Sequence, residues 1–181
     1  MNLKRNLKRN LKKIDSMWAI IKFDKKNFEF LKKGFKKKLG EDITIYTPRL
    51  LVHKHKKNQL ISVEFNLLGD YLFCFHKKFQ NSNTINALRF TKGLKYFLSG
   101  FNESQNEIKN FIKKCKESEN SKGYLTQNFF HLCKNSDYKF TTGPFTEKIF
   151  RIIDLQKNKI NILLGNIKTT INRKRFLFNP A

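Results

Sequence analysis

The chain has 181 residues, enough for one domain of ordinary size or two small ones. Its 38 Lys and Arg against 14 Asp and Glu give a formal charge of +24, which points to a polyanionic partner such as DNA, RNA or an acidic protein surface. No run approaches the about 18 apolar residues that a membrane-spanning helix needs, so the reading includes no membrane.

Of the 38 basic residues, 31 are Lys, and Lys, Phe, Ile and Asn all have AT-rich codons, so codon bias is a second source of the charge. Cys74, Cys115 and Cys133 are scattered, with no CxxC pair and no recognisable secretory signal. Buried or idle thiols in a reducing cytoplasm are expected.

Residues 2–13 read Asn-Leu-Lys-Arg twice and then Asn-Leu-Lys-Lys, placing Leu3, Leu7 and Leu11 every fourth position. Residues 1–16 are expected to be a basic tail without fixed structure, or upstream sequence before a true start at Met17. On a helix the same pattern would be a thin apolar stripe in a basic coat, able to lie on nucleic acid, a membrane surface or an acidic partner.

Trp18–Phe23 reads as a buried strand bounded by Asp24. Phe28, Leu31, Phe35 and Leu39 then recur at helical spacing, and Gly40 stops that helix. Gly34 within it lowers its propensity. Ile43–Tyr46 is a short strand ended by Pro48. Two β-leaning runs between Leu50 and Phe65 flank His53-Lys54-His55-Lys56-Lys57-Asn58, which predicts a hairpin with a basic tip. Tyr71–Phe75 is a further strand, Thr84–Phe90 a short helix and Leu94–Leu98 a strand. Ile108, Phe111, Ile112 and Cys115 mark a second amphipathic helix.

Periodicity is lost from Lys116 to Asn135, so 117–136 is expected to be a linker. Five short strands follow: Tyr138–Thr141, Ile149–Ile153, Ile160–Leu164, Ile167–Ile171 and Arg175–Phe178, with Gly165-Asn166 as a tight turn. Five such strands in about 40 residues predict a small β-barrel. The expected divisions are a 17–116 α/β domain, the linker and a 137–181 barrel.

Five stretches resemble, in order and spacing, the NusG family of transcription elongation factors, including RfaH. Trp18-Ala19-Ile20-Ile21 stands where family members open with Trp-Tyr and an aliphatic strand. Leu68-Gly69-Asp70-Tyr71 stands where they carry Phe-Pro-Gly-Tyr or Phe-Pro-Asn-Tyr, continuing Leu72-Phe73 as in RfaH. Thr84-Ile85-Asn86-Ala87 is similar to RfaH at that place, and Arg89 through Phe97 stands where family members carry an Arg, a turn and a Gly-Val step into a Phe strand. Thr142-Gly143-Pro144-Phe145 is similar to the family's Asp-Gly-Pro-Phe turn. Ala19, Leu68, Gly69 and Lys148 depart from the family pattern, and these departures suggest a divergent paralogue.

The resemblance implies an α+β protein. A NusG-type N-terminal α/β sandwich, an antiparallel sheet with flanking helices, would be followed by a small SH3-like KOW β-barrel. The N-terminal domain would bind the clamp of the largest RNA polymerase subunit, keep it closed and reduce pausing. Leu68, Tyr71, Phe73, Thr84 and Asn86 would be its polymerase-docking residues. For Tyr71 and Phe73 a place in the strand's own core stays equally open, and for Thr84 and Asn86 so does helix capping.

Lys54, Lys56, Lys57, Arg89, Lys92 and Lys95 would face upstream or non-template DNA, or else form a solvated basic face. Gly143, Pro144 and Phe145 would help the barrel of a monomer recruit Rho or a small-subunit ribosomal protein. RfaH-type barrels can refold to a helical hairpin, but the β-branched run from Ile149 to Ile171 favours the barrel.

His53, His55, His76 and His131 have no metal-ligand spacing, and no phosphate-binding Gly loop or nucleophile motif occurs. A protein that binds without catalysis, metal or cofactor is expected. A ribosomal-type KOW RNA-binding protein is the alternative, since small KOW barrels and high Lys content occur there too.

Overall fold

A computed structural model describes residues 16–181; the basic repeat at 2–13 and the expectations attached to it lie outside the described residues. In chain order the elements are β1 (Met17–Phe23), α1 (Phe28–Leu39), β2 (Thr44–Tyr46), β3 (Arg49–Lys56), β4 (Gln59–Asn66), β5 (Tyr71–His76), α2 (Ser82–Leu88), β6 (Leu94–Phe97), α3 (Gln105–Glu117), β7 (Asp137–Phe140), β8 (Ile149–Leu155), β9 (Lys159–Leu164), β10 (Ile167–Asn172) and β11 (Phe178–Pro180). The fold is mixed α/β, and it divides into two compact units. The first takes the chain up to Tyr46 together with Asp70–Ile108; the second takes Thr47–Gly69 with Lys109–Ala181.

The first unit is built on an antiparallel sheet of order β2-β5-β1-β6. Register pairs Ala19 with Cys74 and Ile21 with both Leu72 and Phe97, so these side chains share one face. Helix α1 covers that face. Its Leu31, Phe35 and Leu39 recur every fourth residue and are all buried, and the Phe35 ring stacks on Phe97 at 6.4 Å.

The turn into α1 is held by Asp24, which accepts hydrogen bonds from the Lys26 amide and the Asn27 side chain. At the far end the Gly40 amide donates to the Lys36 carbonyl, with Gly40 at φ 113°. Gly34 is a close-packing residue: a Cβ there would stand 2.4 Å from Thr91 Cγ2. Its low helix propensity is therefore offset by the approach it permits between α1 and the loop after α2.

In the second unit, β3 and β4 form the expected hairpin. Its tip is the two-residue turn Lys57-Asn58, both in the left-handed region at φ 49° and 62°. A five-stranded antiparallel sheet has the order β10-β9-β8-β7-β11. Tyr138, Phe140, Phe150, Ile152, Ile160, Ile162, Ile171 and Phe178, from all five strands, join Leu132 in one core. The rings of Phe140 and Phe150 lie 4.3 Å apart, and the edge of Phe178 meets Phe150 at 5.1 Å.

Three details differ from the sequence expectation. First, the hairpin belongs to the second unit and not to a 17–116 domain. The His53 amide donates to the Thr141 carbonyl, and the Gly143 amide donates to His53 Nδ1. Pairings this distant in sequence leave no trace in local periodicity.

Second, 117–136 is woven into the second unit and is not a free linker. Leu125 and Leu132 are buried, and the Leu125 amide donates to the Arg49 carbonyl. The buried Gln127 accepts the Phe178 amide through Oε1 at 2.9 Å. This stretch is anchored by polar side chains satisfying strand-end amides, so it shows no apolar repeat.

Third, the last strand starts at Phe178, not at Arg175. Asn172 accepts from the Lys174 amide through its side chain and from the Arg175 amide through its carbonyl, holding these residues in a turn.

Candidate functional site

On the other face of the β2-β5-β1-β6 sheet, register brings together Trp18, Ile20, Lys22, Tyr46, Tyr71, Phe73, Phe75 and Tyr96. Five of the eight are aromatic residues from three neighbouring strands besides Trp18, and the rings meet edge to face, tilted or stacked. Trp18 and Phe75 centroids are 4.9 Å apart, Trp18 and Phe73 6.3 Å, and Tyr46 and Phe73 6.2 Å. The face is graded. Phe73 and Trp18 are buried at 3% and 8% exposure, Tyr46, Tyr71 and Phe75 are half-buried, and Tyr96 is 43% exposed.

At its open end, the Tyr71 and Tyr96 hydroxyls lie 3.0 Å apart, and Lys22 Nζ sits 5.5 Å and 5.8 Å from the two ring centroids. The Tyr96 hydroxyl, then burial, pushes the Tyr71 phenol above its ordinary value, against the opposing pull of Lys22. The result is an amphipathic surface that is apolar in its plane, with one cation and two hydroxyls at its rim.

The five docking candidates are dispersed. Tyr71 lies on this face with part of its surface free. Phe73 shares the face but at 3% exposure is a core ring under Trp18 and Tyr46, because its central strand has neighbours on both sides. Leu68 is half-buried in the turn that closes β4, where the Gly69 amide donates to the Asn66 carbonyl and Gly69 takes φ 62°. It belongs to the second unit, whereas Tyr71 belongs to the first.

Thr84 is half-buried and Asn86 exposed on α2. Neither side chain caps that helix: Asn81 does so by accepting from the Asn83 amide at 2.8 Å. Asn86 closes its C-terminal end only through its backbone carbonyl, which accepts the Arg89 amide.

The cationic candidates fall into two groups, one in each unit. Lys54, Lys56 and Lys57 are exposed at the hairpin tip, with Lys54 and Lys56 on one face of β3. Arg89, Lys92 and Lys95 are exposed around the loop between α2 and β6. Lys92 Nζ stands 4.1 Å from the centroid of Phe30, a ring on α1 that is 54% exposed.

Gly143, Pro144 and Phe145 form the tight turn between β7 and β8. Gly143 has φ 82°, and a Cβ there would fall 2.6 Å from the Phe176 ring. Thr146 Oγ1 donates to the Gly143 carbonyl at 2.7 Å, and Thr146 is buried. Pro144 is exposed; Phe145 is 41% exposed, with its ring 5.8 Å from Phe140. Phe145 and Phe176 line a cavity of about 520 Å³ together with Phe140, Ile162, Leu164 and Ile171.

His76 and His53 take part in hydrogen bonds within the fold. His76 Nε2 lies 3.1 Å from Asp42 Oδ1, and that bond holds the Asp42 carboxyl below its ordinary value. His53 is used by the Gly143 amide. Burial pushes the Cys74 thiol far up, Cys115 is also buried and Cys133 is exposed. Among the described residues no group of three or more His, Cys, Asp or Glu is placed to hold a metal ion, and no helix is long and apolar enough to cross a membrane.

Sequence reading missed Lys22, Tyr46 and Tyr96 as members of the aromatic face. Lys22 carried a usable signal, being the one cation inside an otherwise apolar strand. Tyr46 and Tyr96 carried none, since only register brings their strands beside Phe73 and Lys22.

No family model and no curated protein matches the chain. Solved structures similar to it include one of domain interaction in NusG from Thermotoga maritima. It is 13% identical, with 88% of this chain and 93% of that chain covered and a TM-score of 0.33. A structure of the MjSpt4:Spt5 complex in conformation B is 11% identical, with 91% and 98% covered and a TM-score of 0.29.

Proposed function

We propose that this chain is a transcription elongation and antitermination factor of NusG/RfaH type, a divergent paralogue that acts by binding and not by catalysis. The single observation that carries the reading is the graded aromatic face of the first unit, with Tyr71, Tyr96 and Lys22 at its open end. Tyr71 closes the Leu68-Gly69-Asp70-Tyr71 stretch, one of those that carry the family resemblance by their order and spacing. The first unit docks through this end on the clamp of the largest RNA polymerase subunit, with Thr84 and Asn86 on α2 as further contacts. A half-open aromatic surface on a rigid sheet suits that task, since an anchor ring buried in a partner contributes about 2 kcal/mol or more.

Docking that favours the closed clamp by about 1.4 kcal/mol shifts the open-to-closed ratio tenfold, and pausing falls with it. Arg89, Lys92 and Lys95 in the first unit, and Lys54, Lys56 and Lys57 in the second, engage upstream or non-template DNA. The five-stranded sheet serves as a KOW-like barrel. Its Gly143-Pro144-Phe145 turn and the adjoining cavity receive a further partner, Rho or a small-subunit ribosomal protein.

An in vitro transcription assay tests this. Wild-type protein shortens pauses, Tyr71→Ala weakens recruitment about tenfold or more, and Arg89→Ala weakens it less. Wild-type protein that leaves both elongation and polymerase retention unchanged ends the proposal.

One observation favours the second reading, a ribosomal-type RNA-binding protein. The basic hairpin tip and the five-stranded sheet belong to the same unit, joined through His53 to Thr141 and Gly143. That reading predicts salt-sensitive binding to structured RNA without retention on polymerase.

A further inference from the structure

The loop between α2 and β6 holds an aromatic ring out into solvent while the backbone on either side is pinned. Phe90 is 91% exposed, the most open of the large apolar side chains among the described residues. Its neighbour Thr91 is 6% exposed and sits against Gly34 of α1. Lys38 Nζ donates to the Ala87 carbonyl at 2.8 Å and to Thr91 Oγ1 at 3.3 Å. Two residues on, the Gly93 carbonyl accepts the Asp24 amide at 2.8 Å, and a Cβ on Gly93 would meet the Asn27 carbonyl oxygen at 2.6 Å. The loop has little room to fold Phe90 inward, so its exposure is a feature of an anchored backbone.

A second exposed ring, on α1, lies against Lys92 of the same loop. Phe30 is one helical turn before Gly34 on α1, is 54% exposed, and carries Lys92 Nζ 4.1 Å over its face. The surroundings are cationic. Lys33 and Lys37 are exposed on α1, and Arg89 and Lys92 on the loop. No acidic residue occurs from Lys77 to Asn102 or from Phe30 to Leu39.

A protein-docking patch concentrates apolar area and excludes charge at its centre. Here two separate rings stand among cations, which is the composition of a surface that stacks bases and neutralises phosphates. We infer that Phe90, together with Phe30, forms a base-stacking platform for single-stranded DNA, with Arg89, Lys92, Lys33 and Lys37 taking its phosphates. Duplex DNA cannot use the rings, because its bases already stack on one another. The inference rests on the reading that a DNA strand is a ligand of the first unit, and it adds the chemistry of contact: unpaired bases held by their faces, without sequence selection.

The test uses the full chain and fluorescence anisotropy with a labelled oligothymidylate, the matching duplex and an oligouridylate. Wild type binds the single-stranded DNA more tightly than the duplex. Phe90→Ala weakens single-strand binding about tenfold, leaving the salt dependence unchanged because no charge is lost. Phe90→Leu, which keeps apolar area without the π-face, fails to restore it. Lys92→Ala instead flattens the log–log salt slope by about 0.7. Since Phe90 is exposed, far-ultraviolet circular dichroism of each variant should match wild type.

Equal affinity of wild type and Phe90→Ala for the oligothymidylate overturns the inference, as does duplex binding as tight as single-strand binding. Tenfold preference for the oligouridylate overturns the choice of DNA. Retention on core polymerase, measured on the same preparations, separates the two failures. Retention intact with Phe90 silent removes the stacking platform alone, whereas absent retention removes the elongation-factor reading and leaves the oligonucleotide result standing.

Discussion

The two sheets treat their aromatic residues in opposite ways. In the first unit, one face is sealed by α1, while the other grades from the buried Phe73 to the exposed Tyr96. In the second unit, Tyr138, Phe140, Phe150 and Phe178 turn inward from three strands into a single core, while Phe145 at a turn and Phe65 on the hairpin stand partly out. A sheet with helices on one side has a second face to offer a partner. The five-stranded sheet gathers its aromatic side chains around one core and carries Ile149, Ile153 and Ile167 exposed on its strands. In the proposed function, broad-area docking falls to the first unit and narrower contacts to the second.

The largest expected effect sets the two sheets directly against each other. Phe140, 1% exposed and in contact with Phe145, Phe150, Phe176 and Phe178, is a structural ring, and Phe140→Ala costs about 3–5 kcal/mol in urea denaturation. Tyr71→Ala, on the half-open face, costs about 1 kcal/mol and shows its effect in polymerase retention. Comparable stability losses for both variants would remove the distinction between a sealed core and an available face.

A smaller effect compares two turns. Gly143→Ala meets both an adverse φ of 82° and the Phe176 ring, and loses about 3 kcal/mol. Gly69→Ala meets an adverse φ of 62° but open space, with nothing within 4 Å, and loses about 1 kcal/mol. Thermal denaturation of the pair ranks them, and a Gly69 variant as damaged as the Gly143 variant would contradict the ranking.

The smallest effect is a pH dependence in the second unit. Arg151 donates to both carboxylate oxygens of Asp137 at 2.8 Å and 3.0 Å and holds that carboxyl below its ordinary value of 3.8. The folded state therefore favours the ionised form. Its stabilising contribution is complete above the ordinary value and is lost as pH falls through the depressed one. Melting temperatures measured downward from pH 5 should fall more steeply for wild type than for Asp137→Asn. Parallel curves would show that the exposed pair contributes nothing measurable.

Much of the architecture was legible along the chain. Helical spacing marked α1 and α3, and turn residues marked the Gly165-Asn166 turn between β9 and β10; the hairpin was expected with a tip of His53–Asn58, of which His53–Lys56 proved to be strand. The candidate site was legible only in part. Alternation named Tyr71 and Phe73 together and left both undecided between docking and core, and it gave no sign of Phe90, Phe30, Tyr96 or Lys22.

What the amino-acid order determined by itself was therefore local: which residues are helical or extended, which share a face of an element, and where the backbone turns. Only the tertiary structure decided that the β3–β4 hairpin belongs with the C-terminal sheet, that Phe73 is interior and Phe90 exterior, and that 117–136 is held in place. The physical reason is that periodicity records how side chains alternate about one element. Whether a face meets solvent or a second layer depends on contacts between residues far apart in sequence, as between Gly34 and Thr91 or His53 and Gly143.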